Sequence, residues 1–70
     1  MFNFKRMREL MISKSIDNAE MAYHTGKSET CISYITRGLK QPSLELAKRI
    51  ADRLGVTVDE LIIEETMETA

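Results

Sequence analysis

Glu29, Thr30, Ser33, Tyr34 and Arg37 recur at intervals of one, three and four residues, so a helix through them gathers all five on one polar face. A carboxylate, two hydroxyls, a phenol and a guanidinium on such a face can donate and accept hydrogen bonds across a short span. They do not form a catalytic set. The chain has no Ser-His-Asp order, no paired carboxylates placed for acid-base work and no phosphate-cradling glycine loop, and an enzyme is not expected. With a single histidine, His24, and a single cysteine, Cys31, no metal site or cofactor is expected either. His24 suits the C-terminal end of a helix, where a cation is favoured by the dipole, and Cys31, beside Ile32, reads as a small packing residue. The chemistry on offer is recognition rather than reaction.

Two short helices joined by a glycine turn would position that face. Asp17 followed by Glu20 fits an N-cap with its reciprocal partner and predicts a helix from Asn18 to about Thr25. Gly26 can take the positive φ that ends it, and Ser28 caps a next helix over roughly Glu29–Arg37, with Gly38 as its stop. Ala22 is small enough for the two helices to cross closely, and Met21, Thr25, Ile32 and Ile35 fall where their inner faces meet. This is the helix-turn-helix arrangement.

The flanking segments supply the remaining core. Phe4, Met7, Leu10 and Met11 recur at helical spacing and predict a first helix over Phe4–Ser13, with Lys5, Arg6, Arg8 and Glu9 on its wet side. Ser43 caps a fourth helix with a stripe of Ala47, Ile50, Ala51 and Leu54, ended by Gly55. Thr57 and Glu60 repeat the capping-box spacing, which predicts a short fifth helix from Val58 to about Ile63. Strand signals are nearly absent, so the fold class is all-α: a compact five-helix domain over residues 4–63 followed by an acidic tail at 64–70.

Seventy residues allow one small domain, which buries about 60% of its unfolded surface. The lone cysteine excludes an internal disulfide and fits a reducing compartment. No apolar run approaches the roughly 18 residues of a membrane span, and Phe2-Asn-Phe-Lys-Arg lacks the apolar block of a signal peptide, so the expected setting is cytoplasmic, with no membrane partner and the chain complete. Net charge is -1, but it is unevenly spread. Met1–Pro42 has seven basic and four acidic residues, and Ser43–Ala70 three basic and seven acidic. A basic front and an acidic back suit a protein that turns one side toward phosphates.

With the turn glycine, the Arg37-Gly-Leu-Lys-Gln-Pro-Ser43 segment and the closing Leu54-Gly55-Val56 with Leu61 in view, the chain resembles the phage-repressor and Cro type (XRE-like) of helix-turn-helix regulator. The likeness runs from about Phe4 to Ile63. It implies a lambda-repressor-like fold and a sequence-specific regulator whose third helix enters the major groove of a double-stranded DNA operator. By the same resemblance the DNA contacts are Asn18, Lys27, Ser28, Glu29, Thr30, Ser33, Tyr34, Arg37, Lys40 and Gln41. Asn18, at the start of the second helix, would grip a phosphate, as would Arg37, Lys40, Gln41 and Lys27. Ser33 and Thr30 permit close approach, and the Thr30 methyl can meet a thymine. Glu29, where the family often has glutamine, can accept from a cytosine amine or simply favour the helix N-terminus.

One such helix reads few base pairs, so a homodimer on a pseudo-palindrome is expected; Val58, Leu61, Ile62 and Ile63 of the C-terminal helix offer apolar surface for the contact, with Val58 and Leu61 equally suited to the core. The alternative is a protein-interaction module, an antirepressor or antitoxin that binds a partner repressor through the same scaffold. Glu29 on the outward face, the net charge and the moderate basicity of the front support it.

Overall fold

The computed structural model describes residues 1–63. The tail expected at 64–70, including Met67, lies outside the described residues.

Among the described residues four α-helices form, each from a local signal. In α1 (Phe4–Ser13) the Asn3 side chain accepts from the Arg6 N–H at 3.1 Å, a cap that relieves one of the orphan amides of the first turn. Met7 and Met11 are its buried residues. The connection to α2 turns on Ser15, which takes a left-handed φ of 58° and so lets the Ile16 N–H reach back to the Met11 carbonyl at 2.8 Å.

In α2 (Asn18–Thr25) Asp17 accepts from the Glu20 N–H at 2.8 Å, as its spacing predicts. The reciprocal half of the box is used elsewhere, because the Glu20 carboxylate pairs with Arg53 of α4. Gly26 (φ 76°) closes α2, and both its own N–H and that of Lys27 donate to the Ala22 carbonyl.

α3 (Glu29–Thr36) is capped by Ser28 through the Cys31 N–H at 3.1 Å. It stops one residue short of the expected Arg37, which is its C-cap. Gly38 then turns at φ 77° directly under the Phe4 ring, where an added Cβ would lie 2.7 Å from the ring edge. α4 (Leu44–Leu54) opens on Ser43, which accepts from the Leu46 N–H at 3.2 Å. It buries Leu46, Ala47, Ile50, Ala51 and Leu54, the expected stripe with one added residue.

The fifth element is not an α-helix. Val58–Leu61 makes a single 3-10 turn, Thr57 provides no side-chain cap, and Ile62 is extended. Two long-range contacts override the local pattern. Arg6 takes the Glu60 carboxylate at 2.7 Å, so Glu60 cannot complete a capping box. Phe2 forms an antiparallel bridge with Ile62, drawing residues 61–63 alongside the N-terminus. The Asn3 N–H donates to the Leu61 carbonyl and the Ile63 N–H to the Met1 carbonyl, each at 2.7 Å. Phe2 is thereby buried, a core residue that helical periodicity does not reveal. Among the described residues the fold is thus four α-helices and a 3-10 turn rather than five helices.

The core fills the space between the elements. Met7, Met21, Ile32, Ile35, Ile50, Leu54 and Leu61 are fully buried and Ala22 nearly so. α2 packs on both α3 and α4, while α1 packs on α3 and the 3-10 turn. Ala22 and Thr25 lie in the crossing, and the Thr25 hydroxyl donates to the Met21 carbonyl at 2.9 Å, so its burial costs no unpaired polar group. α3 is therefore clamped from two sides, with its polar face left outward.

Candidate nucleic-acid interface

Ile32 and Ile35 fix the rotation of α3 by their complete burial, and the opposite face follows from the 3.6-residue period. Glu29, Thr30, Ser33, Tyr34 and Arg37 line one open concavity, and Asn18 at the start of α2 lines it with them. The structure thus brings together residues that are 19 positions apart in sequence, because α2 and α3 cross at Ala22 and the turn.

Within that face the side chains are partly ordered by one another. The Arg37 guanidinium lies 5.9 Å from the Tyr34 ring centroid, and its Nη1 approaches Ser33 Oγ at 3.5 Å. The cation is laid along the outer surface of α3 rather than projected into the following loop. Tyr34 keeps 44% of its surface exposed, enough to present the ring edge and hydroxyl. Glu29 and Thr30 are exposed, and Ser33 and Asn18 are half-buried.

The other expected contacts lie around this face. Lys27 is exposed in the turn and borders a shallow depression with Ser43, Glu45, Leu46 and Arg49. Ser28 spends its hydroxyl on the α3 cap. Lys40 and Gln41 border a different hollow, with Met1, Phe2, Phe4 and Gly38. The Gln41 side-chain oxygen accepts from the Phe2 N–H at 3.0 Å, so half of its amide anchors the N-terminal segment.

The ion pairs gather away from the concavity. Arg6 pairs with Glu9 and Glu60, Arg49 with Glu45, Arg53 with Glu20, and His24 lies 3.4 Å from Asp52. Hydrogen bonds to Glu60 and then Glu9 raise the Arg6 pKa, which holds its charge more firmly still. Arg49 also donates to the Thr25 carbonyl at 3.2 Å, tying α4 to the end of α2.

Arg8 is the residue that sequence periodicity leaves simply on the wet side of α1. Its guanidinium lies 5.8 Å from the Phe4 ring centroid, and Nη1 donates to the Thr36 carbonyl at 3.3 Å, at the end of α3. No local signal announces a contact across 28 positions. Cys31 is half-buried against the core, as a packing residue would be. Among the described residues no group of three His, Cys, Asp or Glu side chains is placed to hold a metal, and no helix is long and apolar enough to cross a membrane.

Comparison with protein families matches residues 5–61 to the helix-turn-helix family. The chain belongs to that family. It is an XRE-type helix-turn-helix protein, a DNA-binding transcriptional regulator, and the match spans all of the elements from α1 to the 3-10 turn. Among solved structures it is similar to the SinR protein/SinI protein complex, with a TM-score of 0.80 over 97% of this chain and 67% of that one, at 23% identity. At that identity the likeness is one of fold. No curated protein matches the chain. For a helix-turn-helix protein, the concavity beside α3 is the surface on which recognition should be sought.

Proposed function

We propose that this chain is a sequence-specific operator-binding regulator that lays α3 in the major groove, in the manner of phage repressors and Cro proteins, and that it acts in the cytoplasm. The observation that carries the reading is the convergence of Asn18 with Glu29, Thr30, Ser33, Tyr34 and Arg37 on one open face. In that pose Thr30, Ser33 and Tyr34 approach base edges, with Glu29 placed to accept from a cytosine amine. Asn18 and Arg37 flank them on the phosphate strands, and Lys27, Lys40 and Gln41 extend the backbone contacts outward.

A homodimer on two half-sites about 34 Å apart supplies the specificity one helix lacks. Leu61 is fully buried and Val58 packs against the core, the alternative role open to both, which leaves Ile62 and Ile63, at 36% and 39% exposure, as the apolar surface for that contact.

Selection from a random duplex library tests the proposal. The expected result is enrichment of a pseudo-palindrome. No enrichment by the purified protein, together with co-purification of a regulator from cell extract, would instead favour a protein-interaction module. That second reading draws on Glu29, which repels phosphate, and on the similar fold having been solved as a complex of two proteins.

A further inference from the structure

The chain has five arginines, Arg6, Arg8, Arg37, Arg49 and Arg53. Among the described residues Arg6, Arg49 and Arg53 have carboxylate partners within salt-bridge distance, whereas Arg8 and Arg37 have none. Those two stand on either side of Asn18: Arg37 shares with it the concavity along α3, and Arg8 shares with it a second concavity between α1 and the start of α2.

We propose that Arg8 is a DNA-phosphate ligand, the α1 member of a rim formed with Asn18 and Arg37 along the edge of the reading face. The proposal rests on the operator-binding reading above. Arg8 is held in place without being neutralised. Its Nη1 bond to the Thr36 carbonyl and its position over the Phe4 ring fix the guanidinium, yet both partners are uncharged, and the other N–H groups of the fork remain to be used. The wall beside it is apolar, formed by Met11, Ile12 and Ile16, which lowers the local dielectric and strengthens attraction for an anion. Asp17 also lines this concavity, with one carboxylate oxygen held by the Glu20 N–H at 2.8 Å. A phosphodiester, singly charged and approached by one fork of N–H donors, fits an arginine so prepared.

Because the same side chain ties α1 to the end of α3, the test must separate charge from support. Arg8→Gln removes the charge but is two bonds too short to repeat the Nη1 bond to the Thr36 carbonyl, a loss of support that the unfolding curve reads separately; Arg8→Lys keeps the charge. Binding of each full-length variant to the duplex selected by the wild-type protein is measured across a salt series, and thermal unfolding of each is followed alongside. Arg8→Gln is expected to lower the slope of log K against log[salt] by about 0.9 per bound protomer, which at 0.1 M salt is a loss of about eightfold per protomer, while Arg8→Lys keeps the wild-type slope. An unchanged slope in Arg8→Gln, whatever the melting temperature does, would overturn the assignment and leave Arg8 a structural tie alone. If the wild-type protein selects no duplex, Arg8 and the operator-binding reading fall together. A wild-type complex with a flat Arg8→Gln response removes only the former.

Discussion

Replacing Gly38 and Gly55 separately by alanine distinguishes two costs that coincide at most left-handed glycines. Their φ angles are nearly the same, 77° and 74°, but an added Cβ at Gly38 would lie 2.7 Å from the Phe4 ring, whereas at Gly55 nothing lies within 4 Å. Gly55→Ala therefore bears only the left-handed penalty, about 1–2 kcal/mol. Gly38→Ala bears that plus displacement of the ring, which also disturbs the stack with Arg8 and the Arg8 bond to Thr36. Overpacking of this kind costs about 1–3 kcal/mol, and because the ring is the far end of a half-buried side chain the lower half of that range applies. The expected total for Gly38→Ala is thus about 2–4 kcal/mol, against a stability of about 4–10 kcal/mol for a domain of this length. Urea unfolding of the two variants gives both numbers from midpoints at constant m. Combining Gly38→Ala with Phe4→Leu should recover part of the difference. Equal losses in the two single variants, or no recovery in the double, would refute the claim that Phe4 packs on Gly38.

Three further outcomes follow from the same geometry. Ser15 is the non-glycine residue at positive φ among the described residues; Ser15→Gly should stabilise by about 0.5–1 kcal/mol in the same urea assay, and a loss would contradict the strained turn. Lys40→Ala should weaken binding to all duplexes alike and reduce the salt slope by about one unit per bound protomer, so an unchanged slope removes Lys40 from the phosphate contacts. Tyr34→Ala should diminish the discrimination between the selected duplex and a scrambled one, since the ring stands on the outer face of α3 beside Arg37; equal loss on both duplexes would make it a backbone contact instead.

Much of the fold was legible because its signals are local. Asp17, Ser28 and Ser43 all cap as their spacing predicts; the bounds of α1 follow from apolar periodicity, and those of α2 from Asp17 at its start and Gly26 at its end. The failures share one cause, a tertiary partner distant in sequence. Glu60 resembles the closing residue of a capping box until Arg6, 54 positions away, takes its carboxylate. Ile62 and Ile63 continue a helical pattern until Phe2 and Met1 pair with them. Glu20 caps in appearance and bridges to Arg53 in fact.

The candidate site divides in the same way. The outward residues of α3 are legible from the period of a helix. Their union with Asn18 requires the crossing of α2 and α3, and the place of Arg8 requires α1 to lie against the end of α3. The spread of Lys27, Lys40 and Gln41 around that face, and the use of Gln41 to anchor Phe2, are likewise invisible in the linear pattern.

The central claim is that the outward face of α3 does the binding, and one comparison of equal charge changes tests it most directly. Ser33→Glu places a carboxylate in the middle of that face, while Thr57→Glu places one at an exposed position that makes no side-chain cap, outside it. Measured on the selected duplex by fluorescence anisotropy, Ser33→Glu should weaken binding by at least about a hundredfold, a penalty near 3 kcal/mol for a carboxylate set against base acceptors and phosphates, with Thr57→Glu within severalfold of wild type. Equal effects of the two variants, or undiminished binding by Ser33→Glu, would contradict it.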